Sequence, residues 1–237
     1  MKTPFRTIGP TIALTLLAVT FAAVAATACL QGIARKADPG KTALIIDDLN
    51  RYSASSCELC RRYEHYADRA SADGNRMAAG LFSALARSER IHENACLKAA
   101  SLLNGKCRTS PPAGIEVTDT KSNLQRSLND ERSRLSSLQG SAAEHAIDAR
   151  DFYTARILIW IDGTNRRHIE LIERCLQLAE REEPCDGGIY HVCPVCGNVY
   201  EAGNCDIYCP ICRTRSSEFE CFGRLQVNKA VVKGIDN

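Results

Sequence analysis

At 237 residues, 45% hydrophobic and 24% charged, the chain has the composition of a folded protein with one domain plus a module, or two domains, and not of a disordered one. A balance of 30 basic against 28 acidic residues leaves a net charge of +2, which excludes a strongly basic nucleic-acid footprint and an acidic tail protein. The unusual count is 13 cysteines against 2 methionines and 1 tryptophan, which signals metal, disulfides or both.

Residues 1–34 open with Lys2 and Arg6 and then carry no charge. From Ile12 to Ala28 the stretch is almost entirely apolar, and Ala26-Thr27-Ala28 forms a small-residue cleavage site, the pattern of a signal peptide. Cys29 follows at once, so a lipid-modified cysteine is a second reading, although Ala26 stands where leucine is usual in a lipoprotein signal. The same stretch can span a bilayer uncleaved. Positive charge flanks both ends, so the positive-inside rule gives no orientation. Export, a lipoprotein, and an uncleaved anchor with the domain on either face therefore stay open. Residues 35–42, Arg35-Lys36-Ala37-Asp38-Pro39-Gly40 at their head, read as a linker.

Four long helical patterns occupy residues 43–183. The first, from about Ala43 to Ala72, places Leu49, Ser56, Cys60, Tyr63 and Ala67 on one stripe. Asp73-Gly74-Asn75 is a turn. The second runs from about Arg76 to Asn104 with Leu81, Leu85, Glu89, His92 and Cys96 on one face, and Gly105 stops it. Thr109 to Gly114 is a helix-breaking connection. The third runs from about Asp119 to Ala149 and the fourth from about Phe152 to Glu183. Two helix pairs joined by a longer connection predict a four-helix bundle with a crossover. Residues 189–223 are short-period and cysteine-rich, and residues 224–237 form a polar tail.

Cys193-Pro194-Val195-Cys196-Gly197 and Cys209-Pro210-Ile211-Cys212 are two C-x-x-C knuckles. Each turns tightly enough to aim two sulfurs at one centre, so the four thiolates predict one tetrahedral ion, iron or zinc. The run Tyr190 to Glu201, with Glu218-Phe219-Glu220 behind it, resembles a rubredoxin, which implies iron and one-electron transfer. Arg213 departs from that pattern, where glycine is usual.

A helical bundle followed by such a module resembles the rubrerythrin family, which has a ferritin-like di-iron bundle and reduces hydrogen peroxide. The resemblance implies a mostly α fold, a ferritin-like four-helix bundle followed by a small rubredoxin-like four-cysteine module. Di-iron bundles use a glutamate from each of two helices and Glu-x-x-His from the other two. Glu89-Arg90-Ile91-His92 matches intact, and Asn129-Asp130-Glu131 makes Glu131 a candidate ligand. The family's remaining carboxylates fall on Ser56, Arg134 and Asn165, while His168 keeps its place. Glu58 lies about 200° around the helix from Ser56 and cannot replace it.

Two divalent irons would face the two carboxylates of Glu89 and Glu131 beside the cation of Arg134, a costly buried excess of positive charge. A normal di-iron centre is therefore not expected. Glu89, His92, Glu131 and His168 can hold one ion, or Arg134 can pair with Glu89 or Glu131 and fill the site; His92 and His168 would then be hydrogen-bonded core histidines.

Eight further cysteines, Cys57, Cys60, Cys96, Cys107, Cys175, Cys185, Cys205 and Cys221, allow disulfides in an exported chain. Cys60, Cys96 and Cys175 fall on interior faces and can equally be small core hydrophobes. Cys57-Glu58-Leu59-Cys60 is a lone C-x-x-C within a helix. His65 is expected at the surface and His145 in a structural role. Two functions follow. One is an oxidoreductase that takes electrons from a donor protein at the four-cysteine iron and passes them to peroxide at an altered bundle metal. The other is a non-enzymatic exported metalloprotein with a metal-free, disulfide-bonded bundle. The family resemblance further implies a homodimer in which module and bundle meet between subunits, and no nucleic-acid partner.

Overall fold

The computed structural model describes residues 38–106, 114–138, 141–180 and 188–223. The expected signal or anchor, the tail 224–237, Cys29, Cys107 and Cys185 lie outside the described residues. No helix among the described residues is long and apolar enough to cross a membrane.

Helix α1 spans Pro39–Ala72 and α2 spans Arg76–Leu102. Proline is suited to a first helical position, because its fixed φ fits and its missing N–H has no intrahelical partner there. Helix α1 therefore takes in Pro39 to Thr42, four residues of the expected linker. The turn between α1 and α2 uses Gly74 at φ +75°, and the Asn75 side chain caps α2 by accepting from the Ala78 amide at 3.0 Å.

The expected third helix is two helices, α3 over Thr120–Leu138 and α4 over Ser141–Asp148. Gln139 and Gly140, between them in sequence, lie outside the described residues. Helix α5 spans Phe152–Glu180 and begins behind Asp151, which caps it through the Thr154 amide and hydroxyl. Asp48, fully buried on α1, pairs with His145 of α4 at 2.8 Å, which gives His145 its structural role.

Along α1, α2 and α5 a polar stretch lies between two apolar ones. One apolar cluster holds Ile45, Leu49 and Tyr52 of α1, Ala99 of α2, Ala142 of α4 and Leu158 of α5. A second holds Tyr63 of α1, Leu81 and Leu85 of α2, Leu124 of α3 and Ile172 of α5. Between them Ser56, Glu89, His92, Glu131, Arg134, Asn165 and His168 form a buried polar belt that crosses α1, α2, α3 and α5 at one level.

The carboxyl-terminal module has three short strands, β1 (Tyr190–Val192), β2 (Val199–Glu201) and β3 (Glu220–Phe222), antiparallel in the order β2-β1-β3. Tyr190, Val192 and Val199 join the second bundle cluster, so the module packs into the core of its own chain. Close backbone contact makes this possible. A Cβ on Gly80 of α2 would lie 2.0 Å from the Gly188 carbonyl oxygen, so only glycine fits. Arg87 of α2 then grips Glu220 of β3 with two hydrogen bonds of 2.7 Å.

Candidate metal centres

The two knuckles are built alike. The Gly197 amide donates to the Cys193 carbonyl at 3.0 Å and the Arg213 amide to the Cys209 carbonyl at 2.9 Å. Both turns need a left-handed residue, and Gly197 at φ +80° meets that need without strain. Arg213 sits at φ +68°, which costs a non-glycine residue about 1–2 kcal/mol. Its guanidinium lies 5.6 Å from the centroid of Tyr208, a cation–π contact that recovers about 0.5–1 kcal/mol at an exposed site.

These turns bring Cys193, Cys196, Cys209 and Cys212 together with all four sulfurs within 4.8 Å of one another. Cys193 and Cys212 are 3.4 Å apart and Cys196 and Cys209 3.5 Å. Four thiolates around a tetrahedral ion at about 2.3 Å stand about 3.8 Å apart, so the donor set fits one such ion. The Tyr200 hydroxyl donates to the Cys209 sulfur at 3.2 Å, and the Thr214 hydroxyl lies 3.1 Å from the Cys212 sulfur.

In the bundle belt the charges balance. Arg134 Nη1 donates to Glu89 Oε1 at 2.8 Å and Nη2 donates to Ser56 Oγ at 2.9 Å. The guanidinium thus fills the space that the sequence reading offered it. His168 Nδ1 lies 3.0 Å from Glu131 Oε1, and its Nε2 lies 2.9 Å from Ser88 Oγ. The Ser88 proton goes to the Gly197 carbonyl at 2.6 Å, so Ser88 Oγ accepts from Nε2. Both ring nitrogens therefore donate, and His168 is an imidazolium. Burial alone would lower its pKa, but the Glu131 and Glu89 carboxylates raise it to about 9. Burial likewise opposes ionisation of Glu89, and Arg134, His92 and His168 more than reverse this and hold it well below the usual carboxylate range. The Tyr63 hydroxyl donates to Glu131 Oε1 at 2.9 Å; burial first, then Glu131 and Glu89, keep it protonated.

Of the four bundle residues expected to share an ion, Glu89, Glu131 and His168 offer ligand atoms within 4.8 Å of one another. His92 stands at the edge of that group, with Nδ1 3.4 Å from Glu89 Oε2 and Nε2 facing the module. The Thr164 hydroxyl donates to the Ile161 carbonyl at 2.8 Å, so its oxygen accepts from His92 Nε2 at 2.9 Å. The same nitrogen lies 3.2 Å from the Cys196 carbonyl oxygen. Two residues in ligand positions therefore reach the first knuckle, His92 directly and His168 through Ser88. Gly197 is what lets them, because a Cβ there would sit 2.7 Å from His92 Nε2 and 2.9 Å from Ser88 Oγ.

A pair of metal ions does not fit this belt. Two carboxylates are present, and one is held by a buried guanidinium. Asn165 brings no charge to the position of a missing carboxylate, and its Oδ1, like Glu131 Oε2 and Arg134 Nε, is buried without a hydrogen-bond partner among the described residues. One ion fits the three-residue group only if Arg134 withdraws and His168 loses a proton.

Ser88, Thr164 and Tyr63 were not foreseen as parts of the site. Ser88 and Tyr63 sit beside or on the interior stripes, and their polar character there was the only signal. Cys57, Cys60, Cys205 and Cys221 are free thiols, so the four disulfides that would pair all eight further cysteines are not formed. Cys60, Cys96 and Cys175 are each at most 1% exposed and pack as small apolar side chains. Burial first, then Glu64, pushes the Cys60 thiol up to about 12, which removes the nucleophilic thiolate that a redox C-x-x-C needs.

A sequence model of the rubrerythrin family matches residues 49–176. No match was found among curated proteins. Solved structures similar in fold include fully reduced, all-ferrous nigerythrin, at a TM-score of 0.67 and 21% identity over 75% of this chain and 86% of that one. A mixed-valent state of nigerythrin matches at a TM-score of 0.65 and 22% identity over the same shares.

Proposed function

The chain belongs to the rubrerythrin family, and from that premise we propose that it is an iron electron-transfer protein whose bundle has become a platform for its four-cysteine centre. The observation that carries this reading is the buried Arg134–Glu89 pair, which takes up the carboxylate that a bundle metal would need. Cys193, Cys196, Cys209 and Cys212 would hold one iron, which supplies one-electron transfer. Zinc is the competing ion. The chain's own residues do the rest. The glycine-permitted approach at Gly197 fixes the first knuckle against α2, and the Tyr200 hydroxyl stabilises negative charge on the Cys209 sulfur.

A second reading, a peroxide-reducing oxidoreductase with one bundle ion, is favoured by the convergence of Glu89, Glu131 and His168. Metal content per chain separates the two. One iron, with thiolate-to-iron charge-transfer colour that vanishes on reduction and in Cys193→Ser, supports electron transfer. A colourless protein with one zinc per chain overturns it, and a second ion together with brisk peroxide turnover favours the alternative. Export, a homodimer and an electron-donor protein are further parts of the proposal, resting on the amino-terminal sequence and the family. An intact mass that begins at or near Cys29 supports export, and a full-length mass with Met1 refutes cleavage.

A further inference from the structure

A cleft of about 450 Å³ opens between α2, α5 and the first knuckle, within the size range of small-molecule sites. Its inner wall is mostly apolar, with Ile91, Ile157 and Ile161 each buried beside the buried ring of His92. Trp160, the one tryptophan of the chain, forms a flat side wall, and Cys196 lies at one end. No carboxylate among the described residues lines the cleft. Three cations do, and Arg87 among them is held by Glu220. Lys98 and Arg156 have no carboxylate partner among the described residues. Arg156 is propped over the indole, 5.1 Å from its centroid, so its fork of N–H donors is held near the cleft with nothing ionic to bind.

We infer that this cleft binds a planar aromatic anion, of the class of a phosphorylated flavin, as a small-molecule electron donor to the four-cysteine centre. The apolar wall and the indole take the ring, and Lys98 and Arg156 take the anionic group. The contact with Cys196 makes a redox-active ring the occupant that uses the position. A fully reduced flavin mononucleotide would give one electron to each of two chains, taking each ferric ion to ferrous, becoming oxidised flavin and releasing two protons to solvent. The electron step rests on the iron reading above; the binding step does not.

The two are tested apart. Zinc-loaded full-length protein is titrated with flavin mononucleotide, and Trp160 emission and flavin emission are both followed, corrected for inner-filter absorption. Saturable quenching is expected. Lys98→Gln and Arg156→Gln should each weaken it about tenfold, as should riboflavin, which keeps the ring but lacks the phosphate. Absence of saturable quenching, or equal binding of riboflavin and the mononucleotide with no effect of either variant, overturns the site. With iron-loaded protein, photoreduced flavin mononucleotide should bleach the ferric colour about tenfold more slowly in the two variants at subsaturating flavin. Equal rates in wild type and variants overturn the donor role even where binding holds. A wild-type chain that carries only zinc sinks the electron-transfer reading and leaves the binding result standing.

Discussion

Replacing Arg134 by methionine asks whether a guanidinium does in this bundle what metal charge would otherwise do. The residue is 6% exposed, with Nη1 on Glu89 at 2.8 Å and Nη2 on Ser56 at 2.9 Å. Methionine keeps much of the apolar stem and removes the charge and both hydrogen bonds. Two carboxylates then face one imidazolium. Breaking a buried ion pair by removing one partner costs about 3–5 kcal/mol. The lost bond to Ser56 adds about 1 kcal/mol. For a chain of this size the sum lowers Tm by about 10–20 °C. Glu89, Glu131 and His168 remain within reach of one ion, so a divalent cation should now restore what the arginine supplied. At about 100 times its Kd, a bound cation returns about 2.7 kcal/mol. Thermal unfolding of wild type and Arg134→Met, with the four-cysteine site loaded in every sample and ferrous or zinc ion added or withheld, reads both effects. A variant as stable as wild type, or one that added cation does not rescue, refutes the charge-replacement argument.

His168 is raised from an ordinary 6.5 to about 9, so the stability it contributes is full below about pH 6.5 and lost as pH rises through 9. That window is worth about 3 kcal/mol, and urea unfolding from pH 6 to 9.5 should show the decline in wild type and a flatter profile in His168→Gln. Glu89, held below its ordinary 4.5, acts in the opposite sense, and the stability it contributes is lost as pH falls below the usual carboxylate range. Gly197→Ala forces a Cβ to within 3 Å of both His92 and Ser88 at a positive φ. Amide hydrogen exchange should therefore speed up across residues 190–201, while Gly203→Ala, strained in φ but with nothing within 4 Å, leaves the bundle contact unchanged. Restoring carboxylates as Ser56→Glu, Arg134→Glu and Asn165→Glu should raise iron by up to two ions per chain by elemental analysis; an unchanged content would mean that the belt no longer holds the geometry of a metal site.

The bundle was legible because its signals are local. Heptad-spaced apolar residues mark the interior stripes, and Asp73-Gly74-Asn75 marks a turn that the structure keeps. The four thiolates were legible for the same reason, since a C-x-x-C knuckle encodes its own geometry. The particular partners of His92, read in the sequence either as a ligand or as a hydrogen-bonded core histidine, were not legible in this way. Its spacing from Glu89 is that of a ligand pair, and the acceptors it faces, Thr164 and the Cys196 carbonyl, lie 72 and 104 residues away in the chain. Periodicity carries no information about which distant backbone will arrive at a buried ring.

The choice of arginine at position 134 follows from the charge of the buried belt. Glu89 and Glu131 are both fully buried, and two carboxylates in one dry space cannot both stay ionised without compensation. A neutral side chain at 134 would leave that compensation to His168 alone, whose charge disappears at high pH. A lysine would supply charge, but as a point donor on one stem, and it would lose it more readily on burial. The guanidinium cannot deprotonate at usable pH, and its planar fork spans two helices at once, one arm on Glu89 of α2 and the other on Ser56 of α1. Those residues occupy positions at which the resemblance implies metal ligands. The arginine therefore joins helices that a metal would join and supplies one permanent positive charge beside Glu89 and Glu131. His92 is left free to hold the Cys196 carbonyl, and the imidazolium of His168 to hold Ser88 and, through it, Gly197.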